Sequence, residues 1–214
     1  MIVFGSTGGT GRATCQAFLA AGHAVTAFAR DPAKLPPAAA LRAVHGDVMN
    51  AADVAAALPG HELVIMSLGN SQNPFALMFG ARRTTPVTVC ESGTHHIVAA
   101  MQENRIARLL VVSAFGVGDT RANLPFAFKL FYRTVLREHM ADKEKQEALI
   151  KASALDWTLV QPVALTDKPA TADWFASTRG VIRKNDISRA DVAAFLLSIV
   201  DARDYSRSTV ALSG

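Results

Sequence analysis

Cysteine is scarce in this 214-residue chain: Cys15 and Cys90 are the only two, and no other donor stands at metal-ligand spacing from either. That excludes a disulfide framework and argues against zinc or thiol chemistry, leaving two small residues buried in helices of a protein from a reducing compartment. Long apolar runs are missing too. No stretch reaches the length of a membrane span, and no charged segment followed by an apolar core opens the chain, so no membrane partner is expected. Charge of one sign is not concentrated: the formal net charge is only +4, and the densest basic group, Lys143, Lys145 and Lys151, is interleaved with Glu144 and Glu147. A solvated helix face explains that pattern better than a phosphate-tracking stripe, so no nucleic-acid partner is expected. Internal repeats and low-complexity linkers are lacking, and the length fits one domain.

What is present is an alternation of strand-like and helix-like segments, which predicts an α/β fold: a doubly wound parallel sheet with helices on both faces. Strands are expected at 2–4, 24–29, 41–45, 63–67, 109–113, 157–160 and 208–212. Helices are expected from residue 12 to 21 (Ala13, Ala17, Phe18 and Ala21 on one face), from Asp53 to Leu58, from Pro86 to Asn104, and from Phe126 to Ala152. A last one opens on Ser188 with Asp191 three residues on and runs to Val200. Two stretches, 69–85 and 162–179, read as irregular. They would emerge beyond the carboxyl ends of the strands and form a small lid on the substrate side.

The opening MIVFGSTGGTG carries the most information. A short apolar strand ends in Gly5, and Gly8 and Gly11 follow at three-residue intervals before a helical pattern begins. Strand, glycine turn and helix in that order form a dinucleotide fingerprint, with Gly5, Ser6, Thr7, Gly8, Gly9, Thr10 and Gly11 around a diphosphate at the helix start. The second strand ends in Arg30, where an arginine accommodates a ribose 2′-phosphate and an acid would bond the 2′-hydroxyl. NADP is therefore expected, with NAD possible because Asp31 is adjacent. Arg12 adds positive charge near the same phosphates. Asp47 and Val48 suit an adenine contact, and Leu68 and Gly69 close the fourth strand beneath the cofactor. No His/Cys/Asp/Glu group has metal spacing, so no metal is expected.

The segments GSTGGTG, FARD, HGDV, LVIMSLG, LLVVSAFG and SALDWTLVQP together resemble the atypical short-chain dehydrogenase/reductase family. The similar branch contains NmrA-like and flavin reductase or biliverdin-IX-beta reductase-like NAD(P)H-binding proteins. The resemblance spans nearly the whole chain. It implies that Pro162 and Val163 run beside the nicotinamide, that Ser113 orients a substrate oxygen, and that Lys143 bonds the nicotinamide ribose. It also implies a tyrosine four residues before that lysine, but His139 stands there. Tyr132 cannot substitute, lying ~16 Å away along a helix at ~1.5 Å per residue. Ser113, His139 and Lys143 are thus the candidate catalytic residues, with His139 a possible proton donor near neutral pH.

Phe75, Leu77, Met78 and Phe79 in one irregular stretch and Trp174 and Phe175 in the other would make an apolar pocket mouth. The expected function is an NADPH-dependent oxidoreductase passing a hydride to a small planar acceptor such as a flavin or quinone. The alternative is an NADP(H)-sensing regulatory protein without turnover. The protein is expected to be cytoplasmic, as a monomer or homodimer.

Overall fold

A computed structural model of the chain describes residues 1–70, 72, 75–76, 80–124, 129, 133–202 and 204–214. Its main sheet is built from β1 (Ile2–Phe4), β2 (Val25–Ala29), β3 (Leu41–His45), β4 (Leu63–Met66), β5 (Arg108–Val112), β6 (Asp156–Pro162), β8 (Phe175–Ser177) and β10 (Ser208–Ser213). The strand order is β3-β2-β1-β4-β5-β6-β10-β8, and a separate two-stranded sheet pairs β7 (Ala164–Thr166) with β9 (Asp186–Ser188). The pairs of the main sheet are parallel except β8 against β10. Val3 pairs with Ala27 on one side and Ile65 on the other, which fixes β1 between β2 and β4.

The sheet is flanked by α1 (Gly9–Ala20), α2 (Ala51–Ala57), α3 (Val89–Glu103), α4 (Arg137–Ala152) and α5 (Arg189–Ser198). Successive strand residues point to opposite faces, so both faces of the central strands must be apolar. Val3, Ile65, Leu110 and Val160 bury against Phe18 of α1 and Phe195 of α5. Phe4, Met66, Val111 and Leu159 bury against Val54 of α2, Ile97 of α3 and Ile150 of α4. Each such side chain contributes roughly 1.5–3 kcal/mol by leaving water, which explains why LVIM and LLVV are apolar without alternation.

Several boundaries differ from expectation, for reasons that lie outside the local sequence. Of the expected face of α1 only Phe18 is buried, and it is joined by Thr10, Gly11, Thr14 and Cys15 instead of Ala13, Ala17 and Ala21. Asn50 caps α2 by accepting from Ala52 N at 3.0 Å, so this helix starts before Asp53. Pro86 precedes α3 instead of opening it. The first turn of α3 is capped by a carboxylate from α4, Asp142, which accepts from Cys90 N at 2.8 Å and Glu91 N at 2.9 Å. The long helix expected from Phe126 to Ala152 is interrupted: Lys129, Arg133 and Thr134 are helical, the chain breaks the helix at Val135 and Leu136, and α4 runs from Arg137. Phe126 and Tyr132 themselves lie outside the described residues. The stretch 162–179 is not wholly irregular, since it carries β7 and β8. Three-residue strands show no readable period and form through partners distant in sequence. Ser188 does cap α5, accepting from Asp191 N at 2.9 Å. Among the described residues no helix is long and apolar enough to cross a membrane.

Candidate functional site

The sheet order reverses its winding between β1 and β4, and a crevice opens there beyond the carboxyl ends of the strands. Gly5, at φ +79°, turns the chain out of β1, and a Cβ on it would strike the Ser67 carbonyl at the end of β4. A Cβ on Gly11 would strike the Gly5 carbonyl, so the helix can close on the turn only with glycine there. Ser6 fastens the turn to β2 by donating to Phe28 O at 2.9 Å. Gly8 caps α1 without a side chain, and the first turn of the helix carries no acid. Its outward N–H groups and the positive end of the helix dipole are thereby left for an anion.

Gly5, Thr7 and Gly8 form one wall of the resulting cleft, Arg30, Asp47 and Val48 the second, and Leu68 and Gly69 the floor. Thr85, Pro86 and Val89, ahead of and at the start of α3, form a third wall that the sequence reading did not include. Arg30 reaches across the mouth to that wall, Nη1 donating to Thr84 O at 3.4 Å. Asp47 lines the cleft and also shapes its own turn, accepting from Met49 N at 3.0 Å.

Further along the edge, β5 and β6 meet α4. Lys143 donates from Nζ to Leu68 O at 3.1 Å and Val112 O at 3.2 Å, which places the ammonium over the ends of β4 and β5. Ser113, only 4% exposed, donates to Glu147 Oε1 at 2.5 Å. Glu147, 2% exposed, also accepts from Gln161 Nε2 at 2.7 Å, and its Oε2 is buried without a hydrogen bond. Gln161 in turn accepts from Thr120 Oγ1 at 2.7 Å and donates to Val117 O at 3.0 Å. Burial pushes the Glu147 carboxyl above the usual carboxylate range, partly offset by the Ser113 and Gln161 bonds and by Lys151, 3.8 Å from Oε2. His139 is half-buried, and burial holds its imidazole below the ordinary histidine value, so it is neutral at pH 7.

Residues 5–203 match a family described as NAD(P)H-binding. The chain belongs to that NAD(P)H-binding family. The glycine turn, the open helix start and the cleft beside them fit such a group: a Cβ at Gly5 or Gly11 would close the turn, and no acid in the first turn of α1 opposes a diphosphate. Among solved structures the chain is similar to the oxidoreductase ylbE of Lactococcus lactis, at 20% identity and TM-score 0.81 over 100% of this chain and 90% of that one. It is also similar to a short-chain dehydrogenase/reductase of Veillonella parvula in complex with NADP, at 17% identity and TM-score 0.80 over 100% and 93%. A third is ChuY, an anaerobillin reductase of Escherichia coli O157:H7, at 23% identity and TM-score 0.77 over 99% and 95%.

The remaining sequence candidates divide. Gly9, Thr10 and Gly11 form the first turn of α1, but Arg12 is exposed and borders a separate cavity with Cys15 and Leu19. Pro162 ends β6, and Val163 packs with the core on the α1 side. Trp174 stacks edge-on to Phe195 at 6.4 Å between centroids, which pins its loop, and Phe175 lies under the Arg183 guanidinium at 4.3 Å. Phe75 is exposed, and Leu77, Met78 and Phe79 lie outside the described residues. Burial lifts the Cys15 thiol to about 11 and that of Cys90 to about 12, which leaves both protonated and unreactive at neutral pH. The Ser113–Glu147–Gln161–Thr120 chain was missed as a unit. Ser113 was its one member among the sequence candidates, and Glu147, read from the sequence as part of a solvated helix face, is instead buried.

Proposed function

We propose that the protein is an NADPH-dependent oxidoreductase that transfers a hydride to a small planar acceptor such as a flavin or quinone. In this reading the N–H groups around Gly8 and Gly9 hold the diphosphate, and Arg30 takes the 2′-phosphate through charge-assisted hydrogen bonds. Asp47 and Val48 meet the adenine, Leu68 and Gly69 pass beneath the ribose, and Lys143 turns a proton toward the ribose hydroxyls. NADPH, when bound, supplies the hydride. Binding of NADP by the Veillonella neighbour and the reductase activity named for ChuY support the assignment.

One observation carries the choice of acceptor: at the ends of β4 and β5 the polar groups are already engaged. Ser113 gives its proton to Glu147, Lys143 gives two of its protons to main-chain carbonyls, and His139 is neutral. Among the described residues such a site positions reactants and offers no dedicated acid. An electron-poor ring that delocalises the incoming charge, and then takes its proton from water, suits it better than an isolated carbonyl. NADPH oxidation followed at 340 nm with riboflavin and with a soluble quinone is the test. Turnover with either is expected, and a protein that binds NADPH yet reduces no member of a broad acceptor panel overturns the proposal.

That same engagement of Ser113 supports a second reading, an NADP(H)-sensing regulatory protein. A partner captured only in the presence of one oxidation state of the nucleotide distinguishes it. Two buried, free cysteines support a reducing compartment such as the cytoplasm.

A further inference from the structure

The glycine at position 9 is explained by an arginine from the far end of the chain. A Cβ on Gly9 would lie 2.7 Å from Arg189 Nε and 2.8 Å from its Cδ, so the Arg189 side chain occupies the space that any other residue would fill. Arg189 is the first residue of α5, and α5 packs beside α1, which brings this guanidinium from about 180 residues away onto the turn. Its Nη1 donates to Asp167 Oδ1 at 2.7 Å. The two partners are unequal: the Arg189 side chain is 27% exposed and that of Asp167 is 87% exposed.

We propose that Arg189 is a ligand of the dinucleotide's diphosphate, and that Asp167 is the counter-ion that holds the guanidinium until nucleotide displaces it. The proposal rests on the cofactor reading above and adds a residue that lies outside the glycine fingerprint. A guanidinium has five N–H donors in a planar fork, and the bond to Asp167 uses one. An ion pair with a carboxylate this exposed is weak. A diphosphate oxygen at the start of α1 offers two-point hydrogen bonding in the field of the helix dipole, which favours exchange. Arg12, the cation the sequence offered for this turn, is exposed and borders a different cavity.

The decisive measurement is calorimetric titration of NADPH into the native chain, R189Q and D167N, with thermal melting of each. R189Q should bind NADPH about tenfold more weakly or worse, while D167N should bind about threefold more tightly because its competitor is gone. A pair that only braces the fold would instead weaken binding in both variants and lower both melting temperatures. R189Q binding as tightly as the native chain, or D167N binding no more tightly, overturns the proposal. Should R189Q fail to fold, D167N decides alone, since Asp167 is at the surface. A native chain that binds neither NADPH nor NADH sinks the cofactor reading as well. A native chain that binds normally beside an unaffected R189Q sinks only the role of the arginine.

Discussion

Around the ends of β1 and β2 the cleft is walled largely by main chain, whereas around the ends of β5 and β6 its polar groups are side chains contributed by separate elements. In the first region Gly5, Gly8 and Gly11 act by what they lack, and the first turn of α1 presents backbone N–H groups. In the second, Ser113, Glu147, Gln161 and Thr120 depend on one another's hydrogen bonds, and a buried carboxyl sits among them. The contrast teaches that the glycine turn is sensitive above all to added volume. The β5–β6 end is held by single hydrogen bonds around a buried carboxyl whose protonation is shifted upward.

The largest expected effect tests the main-chain half. G5V adds a side chain at positive φ and drives it into the Ser67 carbonyl, so it should cost about 3 kcal/mol or more of stability and abolish NADPH binding. Denaturant melts with titration of nucleotide check both. R30S should weaken NADPH by roughly 10- to 100-fold while leaving NADH within about twofold, because only the 2′-phosphate loses a charged partner. A uniform loss with both nucleotides would move Arg30 from selecting the cofactor to supporting the fold.

On the side-chain half, S113A leaves Glu147 with one fewer donor. It should cost about 1–3 kcal/mol in thermal melts and leave the NADPH affinity unchanged. For Glu147 the sign follows from its raised carboxyl value. Its contribution is fully present below the unfolded value of about 4.5 and is lost as pH rises through the higher folded value. The melting temperature of E147Q relative to the native chain should therefore increase with pH across that window, and a constant difference would mean that burial does not dominate there. The smallest effect is expected at His139. Its imidazole is neutral at pH 7, so H139N should change turnover at pH 7.5 by less than about threefold. A loss of about a hundredfold at pH 5 that shrinks as pH rises to 7 would identify it as the acid.

The same contrast explains what could be read from the sequence. The main-chain half was legible because its signal is local: an apolar strand, three glycines in register and a helical stripe lie within the first 18 residues, and Arg30 follows at the end of the next strand. The sheet was legible because buried parallel strands such as 63–66 and 109–112 are apolar throughout. Pairs formed across the fold leave no local trace. Glu147 meets Ser113 across 34 residues, Asp142 caps a helix that begins more than 50 residues earlier, and Arg189 meets Gly9 across nearly the whole chain. The assignment of Val163 to the nicotinamide side came from resemblance alone, whereas its burial in the core depends on β10 alongside, where Val163 N donates to Leu212 O at 3.0 Å.

Asp191 gathers the backbone N–H groups of Thr171 and Ala172, each at 2.9 Å, into the first turn of α5. The stretch expected to face an acceptor is thus hung from the same helical turn whose opening residue, Arg189, lies against Gly9. Between that anchor and β8, Trp174 is held on Phe195 but the Asp173 side chain is exposed, so under the proposed reading exchange of Asp173 can alter acceptor preference without unseating the turn.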